Sequence, residues 1–180
     1  MKIGFDLDGV IISTSDFKID QYEKLTKVKL DKWQVNANVI DEYIKDKPTK
    51  RELERLSALF NNHPLVDSAF PAMMQKKATK HEFYLISARG RNEEGKEAAR
   101  QNLAKYDLHL LFQERIFFVV GNMDKSPLIK SLGLDLYVDD RQDIVAQLPN
   151  SVGVLFDEHD LFKKTPDLFS RITSFNDLHL

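Results

Sequence analysis

Cysteine is absent from this 180-residue chain, which removes disulfides, thiolate nucleophiles and cysteine-ligated zinc together. No apolar stretch approaches the roughly 18 residues needed to cross a bilayer, so no membrane association is expected. A dominant sign of charge is also missing. The 26 Lys and Arg nearly balance 28 Asp and Glu, for a formal charge of −2 and a pI near 6.2. That is the opposite of a surface built to neutralise a nucleic-acid backbone, and no nucleic-acid partner is expected. Lys2 stands just ahead of the first acidic motif, leaving no room for a signal-peptide hydrophobic region, and a cytoplasmic location is expected. The five histidines are scattered without metal-ligand spacing. What is present is a hydrophobic fraction of 42%, enough for an independent core in one domain or one domain with a small insertion.

Apolar runs bounded by turn or charged residues predict five strands, at about 2–6, 82–86, 115–120, 135–138 and 152–156. They are hydrophobic almost without alternation, the mark of strands covered on both faces. Helical patterns separate them. Ala99, Leu103 and Tyr106 share one face. Ser126-Pro127 reads as an N-cap followed by proline at the first helical position, with Gly133 as the stop. Residues 143–148 read as a helix up to Pro149. Strands alternating with helices predict an α/β fold, a doubly wound and mainly parallel sheet.

Residues 13–64 break this alternation. Phe17, Tyr22 and Leu25 are loosely helical, Val35, Val39, Ile40 and Tyr43 are at helical spacing, and Pro48 to Glu52 reads as a capping box ahead of Leu53, Leu56, Leu59 and Phe60. This much helix between the first two strands exceeds what one crossover needs. The expected organisation is a core of residues 1–12 and 65–180, with 13–64 as a helical insertion over the strand ends. Its charge run from Lys45 to Arg55 reads as a solvated face.

The richest local signal is Phe5-Asp-Leu-Asp-Gly-Val10 at the end of the first strand. Carboxylates at i and i+2 of an extended strand point the same way. Like charges that close require a cation between them or a retained proton. Gly9 suits a sharp exit where the backbone passes close to a ligand. A calcium loop would need further oxygen ligands and a Glu near its twelfth position, but Val10, Ile11 and Ile12 follow. A simple Asp-Gly hairpin turn stays open. Ligands of an open parallel sheet bind beyond the carboxyl ends of its strands. There the sequence sets Asp6 and Asp8, then Ser87, Ala88 and Arg89, then Lys125, then Asp139 and Asp140. Lys130 also precedes the fourth strand. It falls inside the helix expected to start at Ser126, whereas Lys125 precedes that helix and can reach a ligand.

In that order these residues resemble the four motifs of the haloacid dehalogenase superfamily of phosphotransferases, over about residues 1–160. The resemblance implies hydrolysis of a small phosphomonoester. Asp6 would be the nucleophile that forms an aspartyl phosphate, Asp8 the general acid and base, and Ser87 and Lys125 the holders of the non-bridging oxygens. It also implies a magnesium ion held by the Asp6 side chain, the Asp8 carbonyl and an acid of the Asp139–Asp140 pair. An acid at position 8 speaks against a dehalogenase or a P-type ATPase. Ile86-Ser-Ala-Arg-Gly90, Lys125-Ser-Pro-Leu, Tyr137-Val-Asp-Asp-Arg141 and Arg171-Ile-Thr-Ser-Phe175 look like the 5'-(3')-deoxyribonucleotidase branch, which carries a small helical cap after its first motif. Gly9, Ala88 and Arg89 are then candidate substrate contacts. Trp33, between helical patterns, is the candidate platform for a base. A sugar-phosphate phosphatase or phosphomutase is the alternative, and a phospho-ligand binding module without turnover a more distant one. Neither oligomeric state nor leaving group is written in the sequence; a homodimer stays open.

Overall fold

A computed structural model describes residues 1–163 and 170–180; residues 164–169, counted within the core from sequence, lie outside the described residues. Among the described residues the sheet is parallel throughout, with six strands in the order β3-β2-β1-β4-β5-β6. They are β1 (Lys2–Phe5), β2 (Glu82–Ser87), β3 (Ile116–Phe118), β4 (Leu136–Asp139), β5 (Gly153–Phe156) and β6 (Ser170–Ile172). The first five lie within the predicted runs or a residue beyond them, and the sixth corrects the expected count. Ser-Arg-Ile has too little apolar character to announce a strand and exists as one because β5 offers it an edge.

The helices are α1 (Ser15–Thr26), α2 (Ile40–Tyr43), α3 (Lys47–Leu59), α4 (Phe70–Lys77), α5 (Glu93–Lys105), α6 (Leu108–Phe112), α7 (Lys125–Leu132) and α8 (Gln142–Val145). Both faces of the sheet are covered, as the unalternating strands require. Phe5, Phe83, Leu85 and Val138 pack with Phe70, Leu103 and Phe175 in one buried cluster. Tyr84, Ile86 and Tyr137 pack with Ile129 and Ile144 in another. Gly4 makes room for the second. A Cβ there would lie 2.5 Å from Leu134 Cδ1 and 2.7 Å from Tyr137 Cδ2.

Residues 13–64 contain no strand and form a third cluster of their own, built on Leu30, Val35, Ile40, Ile44 and Leu53. The segment leaves and rejoins the core at one point, where the Ser13 amide donates to the Pro64 carbonyl at 2.8 Å. Three local expectations are corrected. The run from Val35 to Ile44 is not one helix but a 3-10 turn at Lys32–Val35 followed by α2, because Asn36-Ala-Asn38 interrupts it. Helix α3 is capped by Asp46, whose carboxylate accepts from the Thr49 amide at 2.9 Å, so Pro48 stands in its first turn and Pro48–Glu52 is not a capping box. Behind that cap Leu53 is buried, while Leu56, Leu59 and Phe60 are half-buried. Finally, α8 ends at Val145 rather than running to Pro149.

Candidate active site

Strands β1 and β4 are neighbours in register, Phe5 beside Val138, so Asp6, just past β1, and Asp139, the last residue of β4, fall side by side at the end of the sheet. Carboxylate oxygens of Asp6, Asp139 and Asp140 all lie within 4.8 Å of one another, and all three residues are buried. Among the described residues one cation stands with them. Lys125 Nζ is 2.8 Å from Asp6 Oδ1 and 2.8 Å from Asp139 Oδ2, with its side chain 1% exposed. Lys125 is the first residue of α7, not the residue before it. A 3-10 turn at Asn122–Asp124 leads directly into the helix, and Ser126 is buried without acting as its cap. The expected N-cap is thus corrected by two positions. Lys125 is buried among the acids, whereas Lys130, later in the same helix, is exposed.

Three acids against one ammonium leave negative charge in excess. Burial, and then the neighbouring Asp139 and Asp8, push the Asp6 carboxyl up to about 7 against the pull of Lys125. Burial with Asp139 and Asp6 lifts Asp140 well above the carboxylate range. Burial alone would pull the Lys125 ammonium down, but Asp139 and Asp6 outweigh it and hold the lysine firmly charged. An all-oxygen, carboxylate-rich, undercompensated site is what a hard divalent cation fits. Asp6, Asp139 and Asp140 could hold it.

Asp8 lies apart from this cluster. Its side chain, one-third exposed, is gripped by Arg89 through Nη2–Oδ1 at 2.6 Å and Nε–Oδ2 at 3.0 Å. Burial would raise the Asp8 carboxyl, yet the charge and hydrogen bonds of Arg89 prevail and hold it below the ordinary value. Arg89 also donates from Nη1 to the Ala58 carbonyl at 2.9 Å. The guanidinium, a candidate substrate contact, ties Asp8 to the C-terminal end of α3. Ser87 is fully buried at the end of β2, with Ala88 half-buried beside it. Gly9 adopts φ +81°, and a Cβ on it would come 2.3 Å from Asp140 Oδ2. This is a close approach of backbone to an acid that no side chain permits.

A small cleft opens next to Gly9 and Asp140, lined by Ser13, Lys18, Asn36, Glu158 and His159 among others. Trp33 is not among its lining residues. The indole packs edge-on against Tyr43, with ring centres 5.1 Å apart, and remains 38% exposed. The candidate base platform thus lies outside this cleft. The helical pattern does break near Trp33, but the ring turns toward its own segment.

Sequence reasoning missed other residues. His63 is completely buried. Its Nε2 is 2.9 Å from the Ser57 carbonyl, which assigns the proton to Nε2, and its ring meets Phe17 and Phe60 edge-on. Asp157 follows β5 and is buried. It accepts from the Leu161 and Phe162 amides and from Arg171 Nη1, each at 2.9 Å, and so shapes the loop bearing Glu158 and His159. No periodicity marks either residue; a lone Asp after a predicted strand end was the one available hint at Asp157.

With this geometry in place, the chain has the fold of the haloacid dehalogenase-like hydrolases. It aligns over 98% of its length with 96% of such a hydrolase from Streptococcus pneumoniae, at TM-score 0.59 and 10% identity. It aligns equally far with the magnesium-bound hydrolase YfnB of Bacillus subtilis, covering 96% of that chain at TM-score 0.52 and 11% identity. No family model matches the sequence. Among curated proteins it is similar to one from Oceanobacillus iheyensis, provisionally named a nucleotidase, at 26% identity over 189 residues, covering 98% of this chain and 96% of that protein.

Proposed function

We propose that this protein is a magnesium-dependent phosphatase that hydrolyses small phosphomonoesters, nucleoside monophosphates foremost, through a phosphorylated Asp6. The observation that carries the reading is the buried triad Asp6, Asp139 and Asp140 around Lys125, at the strand ends where an open parallel sheet binds its ligands. A dianionic substrate cannot approach an anionic nucleophile unaided. A magnesium ion held by Asp6, the Asp8 carbonyl and an acid of the Asp139–Asp140 pair would neutralise that repulsion.

The remaining chemistry belongs to this chain. Asp6 attacks phosphorus, a bond forms from its carboxylate oxygen, and the bond to the ester oxygen breaks. Asp8 gives its proton to that oxygen, then takes one from the water that releases phosphate. Held by Arg89, Asp8 is in its basic form, suited to the second step. To act as the acid it must gain a proton, which requires the Arg89 fork to loosen when substrate arrives. Lys125 and the Ser87 hydroxyl balance the charge spread over the non-bridging oxygens. Residues 13–64 serve as the cap that selects the leaving group, and we place the nucleophile and acid outside it.

The relative from Oceanobacillus iheyensis supports the nucleotide reading. One observation favours the alternative of a sugar phosphate. The cleft beside Asp140 is lined by Lys18, Asn36, Glu158 and His159, polar groups suited to hydroxyls rather than to stacking. A phosphate-release screen over nucleoside monophosphates and sugar phosphates, with and without magnesium, decides between them. Release that is indifferent to magnesium, or absent from both classes, would overturn the proposal.

A further inference from the structure

The turn Asp139–Gln142 at the end of β4 carries two of the three clustered acids, and two of its backbone groups are hydrogen-bonded by a distant part of the chain. Within the turn, the Arg141 amide donates to Asp139 Oδ1 at 2.9 Å. The Asp140 carbonyl and the Gln142 amide, in contrast, are both met by one side chain of the helical segment. Asn38 Nδ2 donates to the Asp140 carbonyl at 2.7 Å, and Asn38 Oδ1 accepts from the Gln142 amide at 2.9 Å. The primary amide thus closes a two-point clamp on the backbone of residues 140–142. Asn36 steadies the clamp in turn, its Oδ1 accepting from the Asn38 amide at 2.9 Å and from Asn38 Nδ2 at 3.1 Å. Buried Val35 and Ile40, on either side, root this short loop in the apolar cluster of residues 13–64.

We propose that Asn38 is a positioning residue for the cation site: its amide fixes the Asp139–Gln142 turn to the helical segment and thereby sets the Asp140 carboxylate against Asp6 and Asp139. The inference rests on the reading of that triad as a cation site. Asp140 has little freedom of its own. Its carboxylate faces Gly9 so closely that a Cβ there would come within 2.3 Å of Oδ2, and its main chain is held by Asn38 from the other direction. Partners one shell removed from a metal influence it by fixing the geometry of the ligands. Because Asn38 belongs to the segment whose Lys18 and Asn36 line the cleft beside Asp140, displacing that segment would alter the cation site as well as the cleft.

The test is a Mn2+ titration of metal-free protein followed by electron paramagnetic resonance, with melting temperature recorded for each variant without metal. Asn38→Ala and Asn38→Leu remove the clamp, Leu while retaining side-chain bulk. Both should weaken Mn2+ binding roughly 10-fold, the lower end of what outer-shell partners contribute. Asn36→Ala leaves the amide in place but unsteadied and should weaken it by a smaller factor, roughly 3-fold; it supplies the decision if neither Asn38 variant folds. A residue that merely supports the fold would lower the melting temperature and leave the affinity of the folded protein alone. Wild-type affinity in any folded variant therefore overturns the inference while the cation site stands. If the wild-type protein itself binds no Mn2+, it is the reading of the triad that falls.

Discussion

Replacing Lys125 by methionine removes the cation from a cluster of three buried acids while keeping an unbranched side chain of similar length. Breaking a buried ion pair from one side costs roughly 3–5 kcal/mol, because the remaining charge is left uncompensated. At roughly 2–4 °C per kcal/mol for a chain of this size, the melting temperature at pH 8 should fall by about 6–20 °C. The pH dependence separates charge from packing. In the folded wild-type protein Asp6 already titrates near 7, with Lys125 drawing it down; without the lysine it titrates higher still. A carboxyl raised above its unfolded value of 3.8 is favourable to folding when protonated. Its stabilising contribution is therefore lost as pH rises from about 4 through the folded value. The variant meets a larger loss, and meets it at higher pH, so its deficit should be small at pH 5 and grow toward pH 8. Calorimetry or circular dichroism at the two pH values measures this directly. A deficit of equal size at both would refute the electrostatic reasoning and assign Lys125 to packing. In activity, the same variant should lose roughly 10²–10³-fold, as expected for one transition-state donor, and Lys130→Ala, on the exposed side of α7, should lose almost nothing.

Asp6→Asn should abolish phosphate release yet raise the melting temperature of metal-free protein at pH 8, since it deletes one of the crowded like charges; a lower melting temperature would contradict the buried repulsion. Gly9→Ala forces a side chain into φ +81° against Asp140 and should cost at least ~1–2 kcal/mol of stability, read from a denaturant midpoint, with unchanged stability arguing against the positive-φ turn. Trp33→Ala should alter the Michaelis constants of a nucleotide and of an aryl phosphate alike, because the indole packs on Tyr43 outside the cleft; a selective rise for the nucleotide would return Trp33 to the base platform.

How far the sequence could be read depended on how local the cause of each feature was. Buried parallel strands leave continuous apolar runs, and β1 to β5 were visible as such. The acids and the hydroxyl at the strand ends were visible because a parallel sheet gathers successive strand ends on one rim, and Lys125 because it follows the third strand before the fourth. Helix starts were less legible. Ser126-Pro127 imitates a cap, but the preceding 3-10 turn at Asn122–Asp124 begins α7 early. Asp46 caps α3 although Pro48 drew attention to the next turn. Contacts across long separations were not legible at all. Asn38 acts on residues more than 100 positions away, and nothing in Asn36-Ala-Asn38 beyond a break in helical pattern marks it. Arg89 was legible as a rim residue, but its attachment to Asp8 depends on where α3 ends in space.

The strand order has a consequence in time. β1 lies in the middle of the sheet and is made first, but its partners arrive late. Glu82 supplies one neighbour of Lys2, and Asp135, 133 residues after Lys2, accepts its amide at the opposite edge. At a synthesis rate of roughly 5–20 residues per second, the nascent chain carries Ile3, Phe5, Val10, Ile11 and Ile12 without their final cover for on the order of 7–27 seconds. Local helices of residues 13–64 can form in that interval, and β1 can pair with β2, but its other edge stays open. Asp6 and Asp139 consequently meet only when β4 docks, so the buried acidic cluster is assembled only then, and chains without β4 expose an apolar strand without having formed it.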